Sequence, residues 1–407
     1  MGKIGVYISG LGQSVHHESV EKYALRFKNE LSSSSDDKYI LKTEKVFYSQ
    51  DRESTVVSIL KTKTKNEETD GELVYKFYDF KYHEILTEKF NKNNILIKNL
   101  TLFWLVVKKI PQLFFRLFKR GSFSRPYLTF YAYFILFLVS LAIIFLIPAS
   151  IDIVSKFSTT DTFMKFLESN NLDSERIFGF LSPVKKISKW FVPITAFILL
   201  IIPESKTLLT SLATEFACVD KYIENGEQSQ IILGNLDLLI EFISENEPNS
   251  KIHYHSYSFG TIVTLDLLFP IGNIPSTNTR TKSELIITIG TPYEFIDSYY
   301  ARFYNNRFTT MENALQWLNI YSLADALSTN FRKDTKRGEA EFGIKESTLL
   351  PKNINYEITS DKRMSLFNFI SMDGIRMHKS YWDTSSSGQS CVRLIFNKMV
   401  EQGFITP

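Results

Sequence analysis

Residues Lys251 to Leu268, KIHYHSYSFGTIVTLDLL, constrain the fold of this chain more than any other stretch. Ile252 to His255 alternates apolar and polar side chains as a strand does, and the spacing of Ile262, Leu265, Leu268 and Phe269 is helical. Ser258 falls in the turn between them. Ser256-Tyr257-Ser258-Phe259-Gly260 has the form of a GxSxG nucleophile elbow whose first glycine is replaced by serine. Slim neighbours have a physical job in such a turn, because the serine Oγ projects clear of the sheet only if the chain can bend sharply around it.

The N-terminal part repeats the strand-to-helix pattern. Lys3 to Ile8 reads as a buried strand, Ser9-Gly10-Leu11-Gly12-Gln13-Ser14 as a loop, and Ser19 to Leu31 as a helix with Val20, Tyr23, Ala24, Phe27 and Leu31 on one face. A loop of this kind can aim backbone N–H groups at an anion. Strand-like pieces follow at Tyr39 to Tyr48, Thr55 to Thr62 and Glu72 to Phe80.

At 407 residues the length allows two or three domains, or one large α/β domain with an insertion. A net charge of +3 is too small for nucleic-acid binding by bulk electrostatics. Cys218 and Cys391 stand far apart, which fits a reducing compartment better than a disulfide framework. The N-terminus lacks the apolar run of a signal peptide, and Val6 stands where a myristoylation signal wants serine or threonine.

Between the two α/β-like parts the composition changes. Lys89 to Ile151 holds nine lysines and arginines and no acidic residue, and Ile95 to Arg120 interleaves the charges with Phe103, Trp104, Phe114, Phe115 and Phe118. That pattern suits helices lying against anionic lipid headgroups. Pro126 to Ile151 is 26 residues without a charge, longer as a helix than the roughly 30 Å hydrocarbon layer. Trp190 to Pro203, 14 residues, is a shorter apolar run that either spans or re-enters. If the flanking parts make one sheet, the crossings must be even in number. Lys108, Lys109, Arg116, Lys119, Arg120 and Arg125 before the first run then put the sheet on the cytoplasmic side. The expectation is an integral membrane protein, of a bacterial inner membrane, with residues 89–205 as a helical insertion between 1–88 and 206–407.

After the insertion, Ser211 to Tyr222 and Ile231 to Glu245 read as helices, Leu285 to Ile289 and Trp317 to Ser322 as strands, and Ser390 to Phe404 as a closing helix. A serine hydroxyl needs an imidazole to take its proton, and the imidazole needs a carboxylate to hold its tautomer. An elbow of this kind goes with the chain order serine, acid, histidine. Of the six histidines only His378 follows Ser258. His253 and His255 share one face of the strand entering the elbow and read as satisfied sheet-face residues. For the acid, Asp325 after WLNIYSLA fits best, with Asp297 and Glu294 in GTPYEFID as runners-up.

Taken together, ISGLGQS, VDKYI, HSYSFG, IITIGTP, WLNIYSLAD and MHKSYW resemble successive landmarks of bacterial serine esterases and lipases of the α/β-hydrolase superfamily. The resemblance covers residues 1–85 and 206–390. It departs from the family at Ser9-Gly10, where His-Gly is usual, and at Ser256, where glycine is. It implies a mostly parallel sheet flanked by helices, Ser258 as nucleophile, His378 as base, Asp325 as acid, and oxyanion donors in the backbone N–H groups of Phe259 and of Leu11 or Gly10. No metal or organic cofactor is called for. With the membrane insertion, the expected activity is cleavage of acyl esters of membrane lipids. A thioesterase acting on acylated membrane proteins, and an inactive scaffold or lipid-binding sensor, are the rival readings.

Overall fold

The computed structural model describes residues 3–11, 19–62, 71–91, 104–105, 107–111, 217–224, 226–272, 274–311, 314–357, 377–382 and 390–406. The chain divides into two compact units, one made of Met1–Glu88, Gln112–Phe130 and Val219–Pro407, the other of Lys89–Pro111 and Tyr131–Cys218. The sheet belongs to the first. Its strands are β1 (Lys3–Ile8), β2 (Lys38–Ser49), β3 (Arg52–Thr62), β4 (Glu72–Asp79), β5 (Ile252–Tyr257), β6 (Ser283–Ile289), β7 (Gln316–Tyr321) and β8 (Lys352–Asn355). Their spatial order is β2-β3-β4-β1-β5-β6-β7-β8. β2, β3 and β4 form an antiparallel meander, and every pairing from β4 through β1 to β8 is parallel. The architecture is therefore α/β with a mostly parallel mixed sheet.

Two helices cover one face. α1 (Val20–Ser34) starts at Ser19, whose hydroxyl accepts from Lys22 N at 3.4 Å, and buries Val20, Tyr23, Ala24, Phe27 and Leu31. The apolar spacing expected from sequence is the face that packs. The last helix, α7 (Cys391–Glu401), is capped in the same way by Ser390 and buries Cys391, Val392, Ile395, Phe396 and Met399 in the same core. Between them in sequence lie α2 (Tyr82–Asn91), α3 (Glu227–Asn246), α4 (Phe259–Leu268), α5 (Thr277–Lys282) and α6 (Tyr293–Tyr299). α4 packs against β5, β1 and α3, all ten of its residues being buried.

β5 departs from the simple alternation expected of it, because all six residues are buried and the polar face meets protein rather than water. Its histidines are satisfied by a chain of hydrogen bonds whose direction follows from counting protons. The His253 N–H holds the Glu284 carboxyl at about 2, so that end only accepts, at 2.9 Å from His253 Nε2. His253 Nδ1 must then accept from the Tyr75 O–H at 2.8 Å. The Tyr75 oxygen accepts in turn from His255 Nε2–H, and His255 Nδ1 accepts from the Tyr23 O–H, both at 2.8 Å. Burial lowers the affinity of both imidazoles for a second proton.

Among the described residues no helix is long and apolar enough to cross a membrane. This corrects the expectation of an integral membrane protein. The longest described helix, α3, is interrupted at regular intervals by Asp237, Glu241 and Glu245, as suits a helix with one wet face. The runs 126–151 and 190–203, most of 95–120, and residues 211–216 of an expected helix lie outside the described residues. The membrane placement and the cytoplasmic orientation built on it are accordingly withdrawn. The structure also holds elements that no periodicity announced: α2, α5, α6 and the four-residue β8.

Candidate active site

Parallel pairing brings the carboxyl ends of four strands to one edge of the sheet. Ile8 on β1 pairs with Ser256 on β5, Tyr257 with Ile289 on β6, and Ile289 with Ile320 on β7. The residues that follow each strand therefore meet there. β1 is also where the strand order reverses, β4 on one side and β5 on the other, the position at which open α/β sheets hold their ligands.

Ser258 follows β5 and caps α4 with φ 51° and ψ −126°, one of three non-glycine residues among those described with positive φ. Such a backbone costs on the order of 1–3 kcal/mol and persists only where its surroundings hold it. Here Ser258 N donates to Ile289 O at 2.9 Å, while Thr261 N and Thr261 Oγ1 both donate to Ser258 O, at 3.0 and 2.6 Å. Having spent its own proton, Thr261 Oγ1 accepts from the Thr291 hydroxyl at 2.6 Å. A Cβ on Gly260 would fall onto the carbonyl oxygens of Ile8 and Ser9, so only glycine lets the β1 loop close over the elbow. Ser256, at the site of the missing first glycine, turns its hydroxyl inward to Ile287 O at 2.9 Å. The substitution is thus absorbed as one more bond in the sheet.

The other two expected side chains arrive at the same edge. His378 Nε2 lies 2.7 Å from Ser258 Oγ, and His378 Nδ1 lies 2.8 Å from Asp325 Oδ2. Asp325 is fully buried, His378 nearly so, and Ser258 is partly open to solvent. Facing an acceptor-only carboxylate, Nδ1 carries the imidazole proton and Nε2 presents its lone pair to the serine. Asp297 is engaged elsewhere, with Lys345 Nζ at 3.1 Å. Asp325, rather than Asp297, is the carboxylate brought to the imidazole.

Further residues brace this line. Leu327 N donates to Asp325 Oδ1 at 2.9 Å, fixing the carboxylate by an Asx turn. Tyr257 stacks on the imidazole with centroids 5.5 Å apart and donates its O–H to His378 O at 2.5 Å. Gly290 has φ 58°, and a Cβ there would stand 2.9 Å from Tyr381 and 3.2 Å from His378. Glu357 accepts from Leu323 N at 2.7 Å and from the Ser322 hydroxyl at 3.1 Å, tying down the loop that carries Asp325. Sequence reasoning passed over all of these except Ser258, His378 and Asp325. The glycine of Gly290-Thr291-Pro292 directly after a strand was the one available signal.

Gly10 and Leu11 are buried on the β1 loop, and Phe259 is the first residue of α4, where helix geometry supplies no intrahelical acceptor for its N–H. Among the described residues no group of three or more His, Cys, Asp or Glu side chains could hold a metal ion. The chain matches no family model, no curated protein and no solved structure.

Proposed function

We propose that the chain is a serine hydrolase of the α/β-hydrolase kind that cleaves acyl esters through a covalent acyl-enzyme. The observation that carries this reading is the unbroken line Ser258 Oγ, His378, Asp325, with both links under 3 Å, ending at a serine held at positive φ. Support also comes from chain order: nucleophile after β5, acid after β7 and histidine after β8 is the order of the α/β-hydrolase triad.

In this mechanism His378 Nε2 takes the Ser258 proton as Oγ attacks the acyl carbonyl. Asp325 holds the imidazole proton on Nδ1 and stabilises the imidazolium that forms. The tetrahedral oxyanion is met by the Phe259 N–H and by an N–H of the Gly10–Leu11 segment, each worth about 3 kcal/mol on the scale of losing one such donor. His378 then protonates the leaving group, and a water activated by the same imidazole releases the acid. The test is a fluorophosphonate probe applied to the full chain. Wild type is expected to become covalently labelled, and Ser258→Ala and His378→Ala to lose labelling by at least about a hundredfold. Folded wild-type protein that takes up no probe would favour a scaffold that keeps the fold without the chemistry.

A further inference from the structure

The 3₁₀ turn Met377–Trp382 carries His378 and Tyr381 three residues apart, which in that helix puts both on one side. Both reach the same carboxylate oxygen, His378 Nδ1 at 2.8 Å and the Tyr381 hydroxyl at 3.0 Å from Asp325 Oδ2. The direction of the second bond follows from its surroundings. Ser322 N, which can only donate, points at the Tyr381 oxygen at 3.0 Å, and the nearby Ser328 hydroxyl gives its proton to Ser322 O at 3.0 Å. The phenolic proton therefore goes to Asp325. Burial holds the phenol far above its usual range, so it remains a donor throughout the working pH range.

We propose that Tyr381 is a positioning residue that acts through Asp325, drawing charge from Oδ2 and thereby lowering the basicity that the carboxylate confers on His378. Two donors on one oxygen compete for its electron density, so each weakens the pull of that oxygen on the other's positive charge. Other groups among the described residues pack around the pair. Tyr257 on β5 stacks on the imidazole, and Tyr356 after β8 stacks on Tyr381 at 5.8 Å. Cys391 on α7 has its thiol pushed up by burial, and Glu357 is bonded to the backbone and hydroxyl of the acid loop. Gly290 exists in this arrangement to admit both rings of the 3₁₀ turn, which gives that glycine a role in the same device.

The inference rests on the hydrolase reading for its meaning, but its test does not need turnover. The histidine ring of residue 378 is titrated by NMR in the full chain without probe, alongside the pH dependence of fluorophosphonate labelling. In Tyr381→Phe the midpoint and the acid limb of labelling are expected to move to higher pH by roughly half a pH unit. Asp325→Asn, which removes the carboxylate charge, moves the midpoint the other way and calibrates the sign. A fluorotyrosine at position 381, a stronger donor of nearly the same shape, should move the midpoint to lower pH. That variant answers the question even if Tyr381→Phe folds poorly. A tyrosine that merely fills space leaves the midpoint unmoved, and one that merely keeps the carboxylate in place lowers it when replaced by Phe. Either result overturns the proposal. Wild-type protein that titrates as expected but takes up no probe would instead remove the hydrolase reading and leave the Tyr381–Asp325 coupling standing.

Discussion

Gly260 carries a constraint that no other residue type can meet. Its missing side chain is the space through which the carbonyls of Ile8 and Ser9 approach the elbow. In Gly260→Ala the β1 loop must move off, taking Gly10 and Leu11 with it. We expect a loss of about 2 kcal/mol in chemical denaturation and a larger proportional loss of fluorophosphonate labelling. Gly290→Ala meets two obstacles, a positive φ and the rings of Tyr381 and His378. Because the imidazole rather than the loop is displaced there, labelling should fall at least about tenfold with the melting temperature lowered by only a few degrees. Thermal melts run beside labelling rates separate the two variants.

At the scale of elements, β5 is held from both sides by different chemistry. Its far end supplies the strained serine, and its near end is threaded by the Tyr23, His255, Tyr75, His253 and Glu284 chain. Removing the middle hydroxyl in Tyr75→Phe leaves His253 Nδ1 without its donor and His255 Nε2–H without its acceptor. A destabilisation of about 2–4 kcal/mol is expected from two orphaned buried groups, read by denaturant unfolding. The same chain predicts a pH dependence. Burial depresses the folded-state pKa of both imidazoles, so the unfolded chain binds protons first as pH falls. Their contribution to stability is intact above the ordinary histidine value of about 6.5 and declines below it, toward the depressed folded-state values. Melting temperature should hence drop between pH 7 and pH 5. A melt that is flat across that interval would contradict neutral, buried imidazoles.

For the whole molecule, the decisive fact is that α1 and α7, from opposite ends of the chain, share one core on one face of the sheet. Phe27 of α1 meets Phe396 of α7 edge to face at 5.5 Å, and Arg393 reaches Glu30 at 2.8 Å at the rim. Phe396→Ala opens a cavity against Phe27, and about 3–5 kcal/mol of stability should be lost. Labelling below the melting transition should stay near wild type, because the ring contact removed is to Phe27 on α1 rather than to Ser258, His378 or Asp325. Arg393→Ala, at an exposed pair, should cost no more than about 1 kcal/mol. Calorimetry distinguishes the two.

Much of this was legible in the residues themselves. The helical face of α1, the strand–serine–helix turn, the identity of His378 as the one histidine after Ser258, and the chain order of Ser258, Asp325 and His378 were all readable. Those signals are local, or they are matters of order along the chain, and period and turn chemistry are set within a few residues. The placement of β8 and the sharing of Oδ2 by His378 and Tyr381 were not readable, although Asp325 was already preferred to Asp297 and Glu294 from its place after a strand. Nor was the burial of the polar face of β5, since alternation reads the same whether that face meets water or tyrosine. The partners concerned stand far apart in sequence, 120 residues between Ser258 and His378 and 178 between Tyr75 and His253. Strand order brings them within 3 Å, the neighbours β4-β1-β5 for Tyr75 and His253 and the parallel run β5-β6-β7-β8 for Ser258 and His378. What the sequence determined alone is which groups are available for chemistry and in what local geometry. What the tertiary structure decided is which of them face each other, because a polar group's partner is fixed by strand order and register, and neither is written in any one segment.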